Sequence, residues 1–239
     1  MVKRRLDVLL VERGLAESQA KARALVMAGE VSVDGMPALK AGLPIAEEAL
    51  LTLATPAPFV GRGGIKLEYA LDRFRLSISG KVAADIGAST GGFVDCLLKR
   101  GAARVYAIDV GRGQLDWGLR KDPRVVAMEG VNARYPLDLP QKVDLATIDV
   151  SFISVEKVMP SVSAALNPGG QLVVLVKPQF EALRQEVGKG GVIADPAIHA
   201  RVLGRFIVWA VGKGYRLRGL VASPIAGASG NREFFALLG

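Results

Sequence analysis

The stretch Asp85-Ile86-Gly87-Ala88-Ser89-Thr90-Gly91-Gly92-Phe93 follows a strand-like run and precedes a helix-like one. A glycine-rich turn in that position suits a ligand, because it brings backbone amides close to whatever sits above the helix start. A nicotinamide dinucleotide needs a second glycine where Ser89 stands, so that the backbone can approach a pyrophosphate. A phosphate loop needs a lysine and a hydroxyl residue after its last glycine, where this chain has Phe93 and Val94. Neither phosphate chemistry fits well. What remains is a nucleoside without phosphates, held by the turn and by an acid from the next strand. Asp109, about twenty residues further on, could accept from both ribose hydroxyls. S-adenosylmethionine answers that description, and its sulfonium tolerates the nearby carboxylate of Asp85. Without a ligand, Asp109 reads as a strand-end or capping acid.

A second stretch with chemical content is Gly61-Arg62-Gly63-Gly64-Ile65-Lys66-Leu67. It could cradle a phosphate, serve as linker, or deliver the lysine as a positioned amine. Thr55-Pro56-Ala57-Pro58 before it is extended, since each proline biases its predecessor away from helix. The expected organisation is therefore a small domain over 1–55, a linker over 56–64 and a second domain over 65–239.

The elements that must position these residues alternate. Strands are expected at Lys81–Ile86, Arg104–Ile108, Val125–Glu129, Asp144–Asp149, Gln171–Val176, Leu217–Ser223 and Glu233–Leu238. Helical patterns lie between most of them, as in a mainly parallel sheet covered on both faces. The last two strands share a short Gly-rich loop, which permits antiparallel pairing. The expected class is a doubly wound α/β fold whose ligand lies at the strand carboxyl ends.

The first domain reads as two short helices. Leu6, Leu9, Leu10 and Val11 lead to Gly14, and Ser18 caps a second helix through Ala22, Leu25 and Val26 to Gly29. Val31-Ser32-Val33-Asp34-Gly35 then ends in a hairpin turn. The chain carries 31 Lys and Arg against 23 Asp and Glu, a formal charge of +8 over 239 residues, which points to a polyanionic partner such as nucleic acid. Residues 1–60 are balanced overall, yet Lys3, Arg4, Arg5, Arg13, Lys21 and Arg23 crowd its opening segment. The lone Cys96, in an apolar run, reads as a core residue and excludes an intramolecular disulfide or cysteine-cluster metal site. His199, after Asp195-Pro196, reads as a surface residue at a helix start. Arg184 to Gly191 reads as a mobile basic loop, either solvated or touching RNA phosphate. Lacking an apolar leader or a spanning run, the chain is expected to be soluble and cytoplasmic.

The segment RLDVLLVERGLAESQAKARALVMAGEVSVDG resembles the small RNA-binding domain named after the fourth protein of the small ribosomal subunit. Its two helices imply RNA contacts from Lys3, Arg4, Arg5, Arg13, Lys21 and Arg23, with Arg62 adding another beyond the linker. The ordered motifs DIGASTGGF, AIDVGRGQLDW, DPRVVAMEGVNAR, TIDVSFIS, LVVLVKPQFE, VGKGGVIADP and GNREF, with GRGGIKL, resemble the TlyA family over essentially the whole chain. Gly61 departs from that family, which often has Ser before Arg-Gly. The resemblance implies an S-adenosylmethionine-dependent RNA ribose 2′-O-methyltransferase related to the FtsJ class. It also implies a Rossmann-like domain with a seven-stranded sheet, one strand antiparallel, and a small α+β RNA-binding domain ahead of it. Asp85, Gly87, Ala88, Ser89, Thr90, Gly91, Gly92, Asp109, Asn132 and Asp149 would line the cofactor, with Asn132 toward the adenine.

FtsJ-type enzymes use a Lys-Asp-Lys-Glu set, matched here by Lys66, Asp149, Lys177 and Glu233. Asp149 and Lys177 end adjacent expected strands and Glu233 begins the last, so three of the four meet at the cofactor edge. Lys177 is the expected base, and a lysine's ordinary pKa of ~10.4 requires partial desolvation and a neighbouring cation such as Lys66 to bring it into range. Asp149 would orient Lys177, and Glu233 would hold Lys66. The bland alternative is an ordinary Lys177–Asp149 ion pair, with Lys66 in solvent. The implied partner is ribosomal RNA or a ribosomal subunit, with cytidine the family's preference and no metal or obligate protein partner. Two other functions compete: a haemolysin-like membrane-active protein, and a ribosome-associated RNA-binding factor without catalysis.

Overall fold

The computed structural model describes residues 3–53 and 58–239, and the chain divides into two compact units, Met1–Ala57 and Pro58–Gly239. The expected linker over 56–64 is partly outside the described residues, at 56–57. Its remainder is shorter than expected, because a helix starts at Arg62 and takes in Gly63 and Gly64.

In the first unit, β1 (Lys3–Arg5) leads into α1 (Leu6–Glu12), followed by α2 (Gln19–Met27), β2 (Val31–Val33), β3 (Met36–Pro37), β4 (Pro44–Ala46) and β5 (Leu51–Leu53). Ser18 caps α2 by accepting from the Lys21 amide at 3.2 Å. The β2–β3 turn has Asp34 and Gly35 both at positive φ, +51° and +81°, the conformation a two-residue hairpin demands. Leu6, Leu9, Leu10, Ala22, Val26, Val31 and Leu51 form the core.

The opening basic segment is not the free cluster its composition suggested. Lys3, Arg4 and Arg5 form β1, paired with β4. Arg4 bonds Glu12 at 2.8 Å. Arg13 donates to the carbonyls of Ala49 and Glu47. Arg5 and Arg23 converge on the fully buried carboxylate of Asp7 at 2.8 and 3.0 Å. The hydrogen bond from Arg5 leads the causes that hold Asp7 below the usual carboxylate range. A group with a lowered folded pKa stabilises above its ordinary pKa of about 4, and that contribution is lost as the pH falls. Asp7→Asn is expected to cost about 1–3 kcal/mol, read as a lower urea midpoint at pH 7 with a flattened acid limb. An unchanged midpoint would contradict this role.

The second unit opens with α3 (Arg62–Phe74) and continues β6 (Val82–Ile86), α4 (Gly92–Lys99), β7 (Arg104–Asp109), α5 (Trp117–Lys121), β8 (Val125–Glu129), β9 (Val143–Ile148), α6 (Met159–Ala164), β10 (Leu166–Val176), α7 (Pro178–Glu181), α8 (Pro196–Gly212), β11 (Leu217–Ala222) and β12 (Phe234–Leu238). The seven strands are ordered β11-β12-β10-β9-β6-β7-β8, and β12 runs antiparallel to both of its neighbours. Strand β10 begins earlier than expected, with a register shift between Leu166 and Gln171 where Asn-Pro-Gly-Gly interrupts pairing with β9.

The central strands are buried on both faces of the sheet. Ala83, Val105, Leu145, Val173 and Leu175 face one cluster with Leu67 and Leu71 of α3 and Leu97 of α4. Their strand neighbours Ala84, Tyr106, Ala146, Leu172 and Val174 face the other, with Met159 and Val162 of α6 and Phe206 of α8. This period of two sends consecutive residues to opposite faces, and continuous apolar strands are its consequence. Cys96 is fully buried in the first cluster, and burial pushes its thiol up to about 12, so it is an inert core residue. Among the described residues no helix is long and apolar enough to cross a membrane.

Two surface expectations change. His199 is 6% exposed, its ring set edge-on to Phe234 with centroids 5.6 Å apart and its Nε2 3.0 Å from the Ile193 carbonyl oxygen. Arg184–Glu186 and Lys189–Gly191 are single 3₁₀ turns, and Glu186 holds Arg205 at 2.8 Å and Arg201 at 3.3 Å.

Candidate active site

Strand order reverses at β6, which lies between β7 and β9, and a ligand crevice opens at such a point above the strand carboxyl ends. The glycine turn sits there. The amides of Gly87 and Ala88 both reach the Ile108 carbonyl, at 2.8 and 3.1 Å, tying the turn to β7. Gly87 has φ +84°, and a Cβ there would lie 2.3 Å from the Asp149 carbonyl oxygen. Ser89 adopts φ +47°, the left-handed region, where a dinucleotide turn would place glycine. Its amide donates to Asp109 Oδ2 at 2.8 Å, while Asp109 Oδ1 accepts from Gly111 at 2.7 Å. Asp109 is thus both a loop-organising acid and a wall of the crevice, with lone pairs remaining for a ligand.

A cavity of about 420 Å³ fills this crevice. Of the ten residues expected to line a cofactor, Gly87, Ser89, Asp109, Asn132 and Asp149 do so. Ala88, Thr90, Gly91 and Gly92 do not line it, because the turn directs only part of its length inward. Asp85 also lies outside the lining, 1% exposed beneath the turn. Thr147 Oγ1 donates to Asp85 Oδ1 at 2.7 Å, while the buried Oδ2 has no hydrogen-bond partner. Burial raises this carboxyl to about 7, with Thr147 opposing and the charges of Asp149 and Asp109 adding to the rise.

The catalytic candidates form two pairs. Lys177, the residue after β10, is 9% exposed. Its Nζ lies 2.7 Å from Asp149 Oδ1, off the hydrogen-bonding direction, and donates to Ser151 Oγ at 2.9 Å. Parallel pairing of β9 with β10 explains the meeting, since both strands end on the same edge. Lys66 on α3 is 8% exposed and bonds Glu233 Oε2 at 2.6 Å. That burial overturns the solvent-facing alternative for Lys66. Gly227 leaves room for the carboxylate, since a Cβ there would lie 2.4 Å from Glu233 Oε1. Arg62 donates to the Ala226 carbonyl at 2.8 Å.

Ser151, Gln114, Val131 and Phe152 were not anticipated at the site. Ser151 carried a signal, a hydroxyl two residues beyond an acid at a strand end. Phe152 carried none: it is 93% exposed at φ +63°, with its ring 5.1 Å from that of Phe180.

Residues 59–239 match the FtsJ-like methyltransferase family and residues 4–51 match the S4 domain. The chain belongs to the FtsJ-like methyltransferase family and carries an S4 domain at its N-terminal end. Its relatives include YqxC of Bacillus subtilis, 50% identical over 97% of this chain and 84% of that one. The 16S/23S rRNA (cytidine-2′-O)-methyltransferase TlyA of Mycobacterium tuberculosis is 44% identical over 98% of this chain and 89% of its own length. A solved structure from Streptococcus thermophilus that bears a hemolysin name is 45% identical, with TM-score 0.75 over 100% of this chain and 88% of that one.

The chain is therefore an S-adenosylmethionine-dependent methyltransferase, and the crevice fits that cofactor. It offers a carboxylate in Asp109, an amide in Asn132, apolar walls from Ile86, Ile108 and Val131, and an unpartnered carboxylate oxygen beneath the turn. A cationic ligand favours the ionised form of Asp85. Cofactor affinity is expected to rise severalfold from about pH 6 to about pH 8 and to level off above the group's value of about 7. The ligand-free fold has the opposite trend: its raised carboxyl stabilises below about pH 4, and that contribution is lost as pH rises through about 7. Asp85→Asn should flatten both profiles in calorimetric titration and urea unfolding. A pH-independent wild-type affinity would contradict the coupling.

Proposed function

We propose that the protein transfers a methyl group from S-adenosylmethionine to a ribose 2′-hydroxyl of ribosomal RNA, at cytidine as its TlyA relative's name states. The observation that carries this reading is the Lys177 amine, 2.7 Å from Asp149 and 2.9 Å from Ser151, at the rim of the cofactor crevice.

When bound, the cofactor supplies an electrophilic methyl group on a sulfonium. A ribose hydroxyl is a weak nucleophile near neutrality, so the protein must place it in line and take its proton. In this reading Lys177 Nζ, in its neutral form, accepts that proton as the 2′-oxygen gains the methyl. Asp149 and Ser151 fix the direction of the amine. Lys66 steers the ribose with its ammonium, and Glu233 keeps that ammonium from swinging away. Asp85, Ala88, Thr90, Gly91 and Gly92 stay outside the lining and act on the cofactor only by shaping the turn from behind. The first unit, over 1–55, supplies RNA affinity. Lys3 and Lys21 are its simplest contacts, being exposed lysines. Arg4, Arg5, Arg13, Arg23 and Arg62 add positive potential while tied into the fold. The protein works in the cytoplasm on ribosomal RNA or a ribosomal subunit.

Incubation with ribosomal RNA and methyl-labelled cofactor, followed by digestion to nucleosides, tests this. The label is expected in 2′-O-methylcytidine. Label on a base, or none in RNA, would overturn the reading.

A further inference from the structure

A second cavity, about 400 Å³, is lined by the segment that leads into Glu233 and by the start of α8. Its walls include Ile193, Pro196, His199, Ser223, Ala226 and Arg232. It is tied to the proposed catalytic set through the backbone around Glu233. Arg232 precedes Glu233 in the chain, the Ser223 amide donates to the Glu233 carbonyl at 2.8 Å, and Ala226 precedes the glycine against which the Glu233 carboxylate packs.

Two polar groups give the cavity its chemistry. Arg232 is an exposed guanidinium. Glu186 holds Arg201 and Arg205 on α8, and no such carboxylate holds Arg232 among the described residues. His199 is 6% exposed, and its Nε2 lies 3.0 Å from the Ile193 carbonyl oxygen. A carbonyl only accepts, so the proton is on Nε2 and Nδ1 is left as an acceptor. The cavity therefore combines a planar cation, which suits phosphate oxygens, with an imidazole acceptor, which suits a hydroxyl. Asn231 fixes this wall, accepting from the Ile193 amide and donating to the Gly191 carbonyl, both at 2.9 Å.

We propose that this cavity binds the sugar-phosphate of the nucleotide adjoining the methylated one, with Arg232 on the phosphodiester and His199 Nδ1 accepting from the neighbouring 2′-hydroxyl. The assignment rests on the 2′-O-methyltransferase reading. It gives the site a second grip on the strand, so that the target ribose is held by its neighbour as well as by Lys66.

The test is steady-state methyl transfer to purified ribosomal RNA by the full chain, with cofactor affinity and melting temperature as controls. Arg232→Ala is expected to raise the RNA KM about tenfold with kcat and cofactor affinity unchanged. Its RNA affinity should also fall less steeply with salt, the logarithmic slope losing about one phosphate contact. Arg232→Lys should recover part of the loss. His199→Phe, which keeps a ring against Phe234, should lower kcat/KM about three- to tenfold. A fall in kcat at constant KM would instead assign Arg232 to holding Glu233 and overturn the subsite, as would a wild-type KM and salt slope in Arg232→Ala. If the wild type methylates no ribosomal RNA, the functional reading falls and the subsite with it, an outcome distinct from an active wild type with an indifferent Arg232.

Discussion

Lys177→Ala is expected to lower the rate of methyl transfer by about 10²–10⁴-fold while leaving cofactor affinity within about twofold of wild type. The amine sits at the rim of the crevice, 2.7 Å from Asp149 and 2.9 Å from Ser151, and it is not among the cavity-lining residues. Its removal therefore strips the proposed proton acceptor and spares the walls of the crevice. The substitution also leaves a gap where the lysine stem packed, so Lys177→Met is the better-packed companion, and it should be equally inactive. Single-turnover transfer and calorimetric titration on the same preparations separate the two effects. A Lys177→Ala enzyme with full single-turnover activity would remove Lys177 from the chemistry.

The second large effect is expected from Gly87→Ala. At φ +84° an alanine costs about 1–2 kcal/mol in backbone strain alone. Its Cβ would also lie 2.3 Å from the Asp149 carbonyl oxygen, which is backbone and has no rotamer to escape into. Either the turn or the end of β9 must move, and both border the crevice. Cofactor affinity should fall by at least about 100-fold, and unfolding free energy by about 2–4 kcal/mol. Binding within about threefold of wild type would contradict the tight packing of turn against strand. Gly113, at φ +68° with open space around it, is the control: alanine there meets strain without a clash and should leave affinity nearly intact.

These effects separate what was legible in the chain from what was not. The meeting of Asp149 and Lys177 was legible because it needs only strand identity, parallel sense and adjacency, all of which follow from alternating apolar runs. The Lys66–Glu233 pair was legible only through resemblance to a family, since 167 positions separate the two and no periodicity links them. The glycine turn was visible, but which of its residues face the ligand depends on the left-handed backbone at Gly87, Ser89 and Gly91. Composition marks such a turn without fixing its path.

The arginines of the first unit were read as a basic face because charge is visible and pairing is not. Arg23 reaches Asp7 across 16 positions, a contact created by helix packing. His199 was misplaced for a similar reason. A histidine after Asp-Pro looks exposed locally, but the Phe234 ring from the far end of the chain and the Ile193 carbonyl both meet its ring. Long-range closure decides burial there.

The central claim is that S-adenosylmethionine lies in the crevice with its reactive carbon toward the Lys177 amine. A crystal structure of the protein with S-adenosylhomocysteine tests it most directly. The account predicts the nucleoside against Asp109 and Asn132 and the sulfur facing Lys177. An empty crevice, or a sulfur turned away from Lys177, would contradict it.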